Sequence, residues 1–196
     1  MKRKPGNSVL DRQFGHPSGV LGKLVGVAMA MEHKALHQAA VNRLALTSRD
    51  RVLEIGFGPG TAIKLASAQA ESVAGIEPSA EMVAQARRRN QPGIRSGRVE
   101  VRQASAEAIP FPGDSFSVLF EINSFAHWVN QEAGLKEAFR VLETGGRLLM
   151  VLRRGGSDVK SMSEGLEKML ACAGFTQVRF EEHQLGHGGA FVNARK

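Results

Sequence analysis

The chain has 196 residues, 42% hydrophobic and 23% charged, which suits one compact domain because two independent cores would each be small and marginal. A single cysteine, Cys172, excludes an intrachain disulfide and a zinc site built from several thiolates. The formal net charge of +7 is concentrated at the start, where residues 1–50 hold eight Lys or Arg against three acids. No run of five basic residues and no interleaved aromatics accompany that excess, so a solvated surface is expected and nucleic acid is disfavoured as a partner. Lys2-Arg3-Lys4 and the apolar stretch from Val20 to Met31 imitate a secretory leader. The charged end, however, lies sixteen residues before the apolar stretch and Lys23 interrupts it. With no run near the roughly 20 apolar residues that span a bilayer, a cytoplasmic protein is expected.

Two helical segments open the chain, one around Leu24, Val25 and Ala28 and one carrying Leu36, Ala39, Ala40 and Leu44. From residue 50 onward, short apolar runs alternate with segments of helical period, the signature of βαβ units. A strand over Arg51 to Ile55 leads through a glycine-rich turn into a helix from Thr61 to about Ala70. A second strand, Ser72 to Ile76, is followed by Ser79 as N-cap of a helix over Ala80 to Arg89. Residues 90–97 read as a loop before a third strand at Arg98 to Gln103, and the fourth strand is Phe116 to Ile122.

Leu135, Ala138, Phe139 and Leu142 then mark a helix that Gly145-Gly146 should stop, ahead of a fifth strand at Arg147 to Leu152. Met162, Leu166, Met169, Leu170 and Ala173 mark the last helix, with Gly174 as its stop. Phe175 to Glu182 and Ala190 to Ala194 form an expected antiparallel hairpin.

The strongest chemical signal is Val52-Leu53-Glu54-Ile55-Gly56-Phe57-Gly58-Pro59-Gly60, an apolar strand carrying an acid into three alternating glycines. Glycines let backbone approach a ligand closely. A dinucleotide fingerprint would place its third glycine where Thr61 stands, and Glu54 would repel a pyrophosphate but attract a cation. Glu77 closes the second strand seventeen residues after Gly60, where doubly wound folds place an acid that accepts from ribose hydroxyls. Ribose, a nearby positive charge and no phosphate requirement together describe S-adenosylmethionine.

On Glu54 to Gly60 and Glu77 the chain resembles the class I S-adenosylmethionine-dependent methyltransferases over roughly residues 48–196. Ala104 to Phe116 is similar to the corresponding stretch of small-molecule members such as the ubiquinone and menaquinone C-methyltransferases. The resemblance implies a Rossmann-like, doubly wound α/β sheet of seven mostly parallel strands, ordered 3-2-1-4-5-7-6 with the last strand antiparallel. It also implies an amino-terminal helical cap over 1–47 and a cofactor-binding domain over 48–196.

Cofactor contacts are then expected from Glu54, Gly56, Phe57, Gly58, Gly60, Glu77 and Pro78. Ser105, Ala106 and Glu107 should meet the adenine, with Ser105 where relatives hold an Asp. Glu121 and Ile122 should border the methionine part. The cofactor implied is S-adenosylmethionine, with S-adenosylhomocysteine as product and no metal. Methyl transfer from a sulfonium is an in-line displacement with a neutral leaving group, so alignment and exclusion of water supply much of the acceleration. A base is optional, and His127, in Phe125-Ala126-His127-Trp128, is the candidate.

The connection from Arg153 to Lys160 leaves no room for a large lid, so either residues of about 14–40, including His33, cover the site or the acceptor is large and covers itself. Arg87-Arg88-Arg89 complements a helix end and Cys172 is expected to be inert. A small-molecule acceptor is the expected partner. The alternatives are a protein or RNA methyltransferase, which the absence of an Asn-Pro-Pro-Tyr sequence after the fourth strand disfavours, and a binding module without catalysis.

Overall fold

The computed structural model describes residues 34–153, 159–185 and 188–196, with backbone alone for 159–162. The expected segment around Leu24, Val25 and Ala28, the cover over residues 14–33 with His33, and most of the Arg153 to Lys160 connection lie outside the described residues. Helix α1 spans 34–43 and buries Leu36, Ala40 and Val41.

Strands β1 (Arg51–Ile55), β2 (Ser72–Glu77), β3 (Val99–Gln103), β4 (Phe116–Ile122), β5 (Leu142–Arg153), β6 (Thr176–His183) and β7 (Gly189–Arg195) form a seven-stranded sheet of order 3-2-1-4-5-7-6. The first five strands run parallel where they pair, and β7 lies antiparallel between β5 and β6. The expected topology holds. Helices α2 (Thr61–Ala66), α3 (Ala80–Arg89), α4 (Gln91–Arg95), α5 (Gln131–Val141) and α6 (Val159–Ala173), with a single 3-10 turn at Phe125–His127, complete the described elements.

Side chains alternate across the central strands, as the period of two requires. Leu53, Leu119 and Met150 face α5 and α6 with Leu135 and Leu170; Val52, Phe120 and Val151 face α1 to α3 with Val41, Ile63 and Val83. Both faces are covered, which explains why β1, β4 and the body of β5 are apolar on both sides, with Glu54 and Glu121 as buried exceptions.

Three local expectations are corrected. The helix after the glycine turn ends at Ala66 rather than near Ala70. Residues 90–97 are not a loop throughout: α4 forms with Pro92 in its first turn, where a missing N–H costs nothing. Helix α5 stops at Val141, and Gly145-Gly146 lie inside an irregular start of β5 that already pairs Leu142 with Phe116. Ser79 does cap α3, its hydroxyl accepting from the Met82 N–H at 3.3 Å, and Asn130 caps α5 through the Ala133 N–H at 3.0 Å. Among the described residues no helix is long and apolar enough to cross a membrane.

Candidate functional site

The carboxyl ends of β1, β2 and β4 meet in a cleft made of two cavities that share Gly56, Ile122 and Asn123. The first, about 330 Å³, is walled by Glu77 and Pro78 after β2, by Ser105, Ala106 and Glu107, and by His127 and Trp128. The second, about 780 Å³, is walled by Glu54, Phe57 and Gly58 on one side and by Lys34, His37 and Lys64 on the other. Eleven of the thirteen residues singled out in the sequence thus border one cleft. Gly60 and Glu121 line neither cavity.

The glycine turn is built for close approach. Gly56 has φ +72°, and a Cβ there would lie 2.3 Å from the Cβ of Ser124, so only a bare backbone at the end of β1 leaves room for the side chain that follows β4. Gly58 donates its N–H to Glu77 Oε2 at 3.1 Å, and the Ser79 N–H reaches Oε1 at 3.0 Å. Each carboxylate oxygen of Glu77 is held by one backbone donor and keeps lone-pair capacity toward the first cavity. Gly60 is also closely packed: a Cβ there would meet Ala86 Cβ and Asn90 Nδ2, both at 2.7 Å. The buried Asn90 amide donates to the Gly60 carbonyl at 3.0 Å and to the Ala86 carbonyl at 2.9 Å, joining the turn to α3.

Ser105 and Glu107 act together. The Ser105 hydroxyl hydrogen-bonds Glu107, and the Asn130 N–H reaches Glu107 Oε1 at 3.0 Å. Partial burial raises the Glu107 pKa, but these hydrogen bonds outweigh it and the net shift is downward. With its proton committed to Glu107, the Ser105 oxygen presents lone pairs to a ligand N–H.

Two carboxyls are fully buried. Glu54 is pushed well above the ordinary carboxyl range, chiefly by burial, with the charges of Glu121 and Glu77 adding to the shift and a hydrogen bond from the Ile63 backbone opposing it. Its Oε2 has no hydrogen-bond partner. Glu121 is pushed up to about 7 by burial, against hydrogen bonds from Ser124 and Phe125. Its Oε2 accepts the Ser124 N–H at 2.7 Å and the Phe125 N–H at 3.0 Å, so Glu121 shapes the turn of Phe125–His127 from beneath.

Sequence reasoning passed over Asn123, which lies where the two cavities join. It has φ +56°, a region asparagine tolerates better than most residues, and its buried Oδ1 has no partner. Trp128 Nε1 is likewise buried and unpaired on the wall of the first cavity. Trp128 belongs to the stretch singled out with His127, whereas Asn123 had no signal in the local pattern, because its place depends on which loops the sheet brings together. Among the described residues no group of three or more His, Cys, Asp or Glu gathers as a metal site would require.

The unpaired polar groups suit an S-adenosyl ligand. Glu54 Oε2 and Asn123 Oδ1 offer buried acceptors to a cationic donor, and Glu77 offers paired acceptors to a diol. The wider relationships agree. Residues 53–150 match the family described as a methyltransferase domain, half of the chain, and the chain belongs to that family.

It is 29% identical over 163 residues to the uncharacterized methyltransferase YdaC of Bacillus subtilis, spanning 79% of this chain and 87% of that one. It is 32% identical over 115 residues to the ubiquinone/menaquinone biosynthesis C-methyltransferase UbiE of Geotalea daltonii, covering 57% of this chain and 49% of UbiE. The fold superposes with TM-score 0.65 on a SAM-dependent methyltransferase from Aquifex aeolicus, at 21% identity over 81% of this chain and 88% of that one. The protein is an S-adenosylmethionine-dependent methyltransferase.

Proposed function

We propose that this chain methylates a small molecule, with the adenosine of the cofactor in the first cavity, the methionine part across Gly56 and Asn123, and the acceptor in the second cavity. The observation that carries the reading is the division of one cleft into a smaller part gathered around Glu77 and a larger part around Glu54. A space of about 780 Å³ is of the size that encloses a small ligand. The relatives lean the same way: UbiE is named for ubiquinone and menaquinone biosynthesis, small-molecule work, although this chain spans only 49% of it.

When bound, S-adenosylmethionine supplies a methyl group on a positively charged sulfur. In this reading Glu77 holds the ribose hydroxyls, Pro78 and Ala106 flank the adenine ring, and Ser105 accepts its amino group. Phe57 and Ile122 exclude water beside the reacting centre, which strengthens electrostatic alignment. Glu54 regains its charge against the cofactor's cationic groups, and Glu121 sets the turn that carries His127. His127 is the proposed base for an acceptor that must lose a proton.

The test is transfer of radiolabelled methyl from S-adenosylmethionine into a cell extract divided at about 3 kDa. Label in the small fraction, resistant to protease and nuclease, is expected. Label confined to the large fraction and lost with either treatment contradicts the small-molecule reading and favours a protein or RNA acceptor.

A further inference from the structure

The second cavity has a charge that cofactor binding alone does not explain. Lys34 from α1, Lys64 from α2 and Arg89 from α3 reach it from three separate elements, and among the described residues its only carboxyl is the buried Glu54. Arg89 Nη1 is held by the Pro59 carbonyl at 2.6 Å and by Thr61 Oγ1 at 2.9 Å, both uncharged acceptors. Among the described residues no carboxylate forms an ion pair with any of these three cations. Elsewhere on this surface arginines do find acids, as Arg51 finds Glu143 and Arg140 finds Glu137.

S-adenosylmethionine is itself cationic: sulfonium and ammonium outweigh its one carboxylate. Bound beside the three cations of the second cavity, where Glu54 is the one compensating charge among the described residues, it leaves that cavity positive, the carboxylates of Glu77 and Glu107 lying in the first. An acceptor carrying negative charge completes the balance and is drawn into the second cavity before reaction; a neutral one gains nothing from this arrangement and a cationic one is held off.

Building on the methyltransferase assignment, we propose that the second cavity takes an anionic acceptor, a small molecule bearing a carboxylate or a phosphoryl group that Lys34, Lys64 and Arg89 hold by its charge. The two lysines sit on exposed positions of separate helices, so both can be neutralised without opening the core. Arg89 also braces the glycine turn, which makes it the poorer site for substitution.

The experiment is calorimetric titration in three steps. S-adenosylhomocysteine is titrated first into the protein and into the double variant Lys34→Gln/Lys64→Gln, whose melting temperature is compared with that of the parent. The saturated complexes are then titrated with sodium pyrophosphate, sodium benzoate and benzamide. Pyrophosphate or benzoate should bind the parent at least about tenfold more tightly than benzamide, the preferred anion distinguishing a phosphoryl from a carboxylate acceptor. The double variant should lose that preference while binding S-adenosylhomocysteine within about threefold of the parent.

Equal binding of all three probes, or an anion preference that survives in the double variant, overturns the proposal. A tenfold loss of S-adenosylhomocysteine affinity in the variant overturns it too, by assigning the lysines to the cofactor's own carboxylate. Failure of the parent to bind S-adenosylhomocysteine is a failure of the cofactor assignment itself and appears already in the first titration.

Discussion

Glu77 concentrates two tasks in one carboxylate. Its oxygens fix the Gly58 and Ser79 N–H groups and, in the proposed complex, accept from the ribose diol. Hydrogen bonds to a charged acceptor contribute about 1.5–3 kcal/mol each, so Glu77→Ala should weaken S-adenosylmethionine binding by about 100-fold or more. Calorimetry on a variant shown by circular dichroism to be folded checks this; unchanged affinity refutes the role.

Glu121 gives a pH signature of its own. With its carboxyl raised to about 7, the folded state holds a proton that the unfolded chain releases near 4.5. The stability this provides is complete below about 4.5 and is lost as pH rises toward 7, roughly 3 kcal/mol over the interval. Urea unfolding of the cofactor-free protein across that range should show a falling stability that Glu121→Gln flattens by about that amount. An identical slope in the variant contradicts the buried-acid account.

Legibility differed among single residues. Glu54 was found because an acid within an apolar strand is out of pattern, and Glu77 because it closes the second strand at the distance from the glycine turn where doubly wound folds place a ribose acceptor. Asn123 was not, since its buried, unpaired oxygen exists only in the fold, where the backbone takes φ +56° and the Asn123 N–H is bonded to the Val151 carbonyl at 2.8 Å. Ser105 stood out as a departure from the family, but the partner that orients its hydroxyl, Glu107, appears only in three dimensions.

Among the elements, the join between the glycine turn and α3 governs the cleft's shape. Gly60 combines φ +76° with contacts that leave no space for a methyl group. Left-handed backbone costs about 1–2 kcal/mol in a residue with a Cβ and overpacking about 1–3 kcal/mol. Gly60→Ala should therefore destabilise the fold by about 3 kcal/mol in chemical unfolding, whereas Gly58→Ala, with nothing within 4 Å of its Cβ, should cost only the backbone part. Equal losses at the two positions contradict the packing role.

The sequence showed three alternating glycines and invited one purpose for all; the structure separates them because Ala86 and Asn90, far along the chain, pack against the third. The same distance effect hid the short α4. Pro92 reads as a breaker in isolation, yet in a first helical turn it breaks nothing. The end of α5 was displaced for a related reason, as pairing of Leu142 with Phe116 claims the chain for the sheet before the glycines are reached.

On the scale of the whole molecule, the alternation of apolar runs and helical stripes made the βαβ build legible, and the family resemblance supplied the strand order that periodicity cannot give. That order places β1 beside both β2 and β4, and their carboxyl ends create the cleft between them. The antiparallel β6–β7 hairpin was legible from its short connection. The two cavities and their unequal charge were not, because Lys34, Lys64 and Arg89 meet only after three helices dock on one face.

The central claim is that this cleft binds S-adenosylmethionine through Glu77 and the glycine turn. Its most direct test is calorimetric titration of the purified protein with S-adenosylmethionine and, separately, with NAD. The account predicts one site per chain for the former, with a dissociation constant of about 1–100 μM, and no binding of NAD, whose pyrophosphate meets Glu54 and finds Thr61 where the dinucleotide fingerprint has its third glycine. Binding of NAD, or of neither ligand, would contradict it.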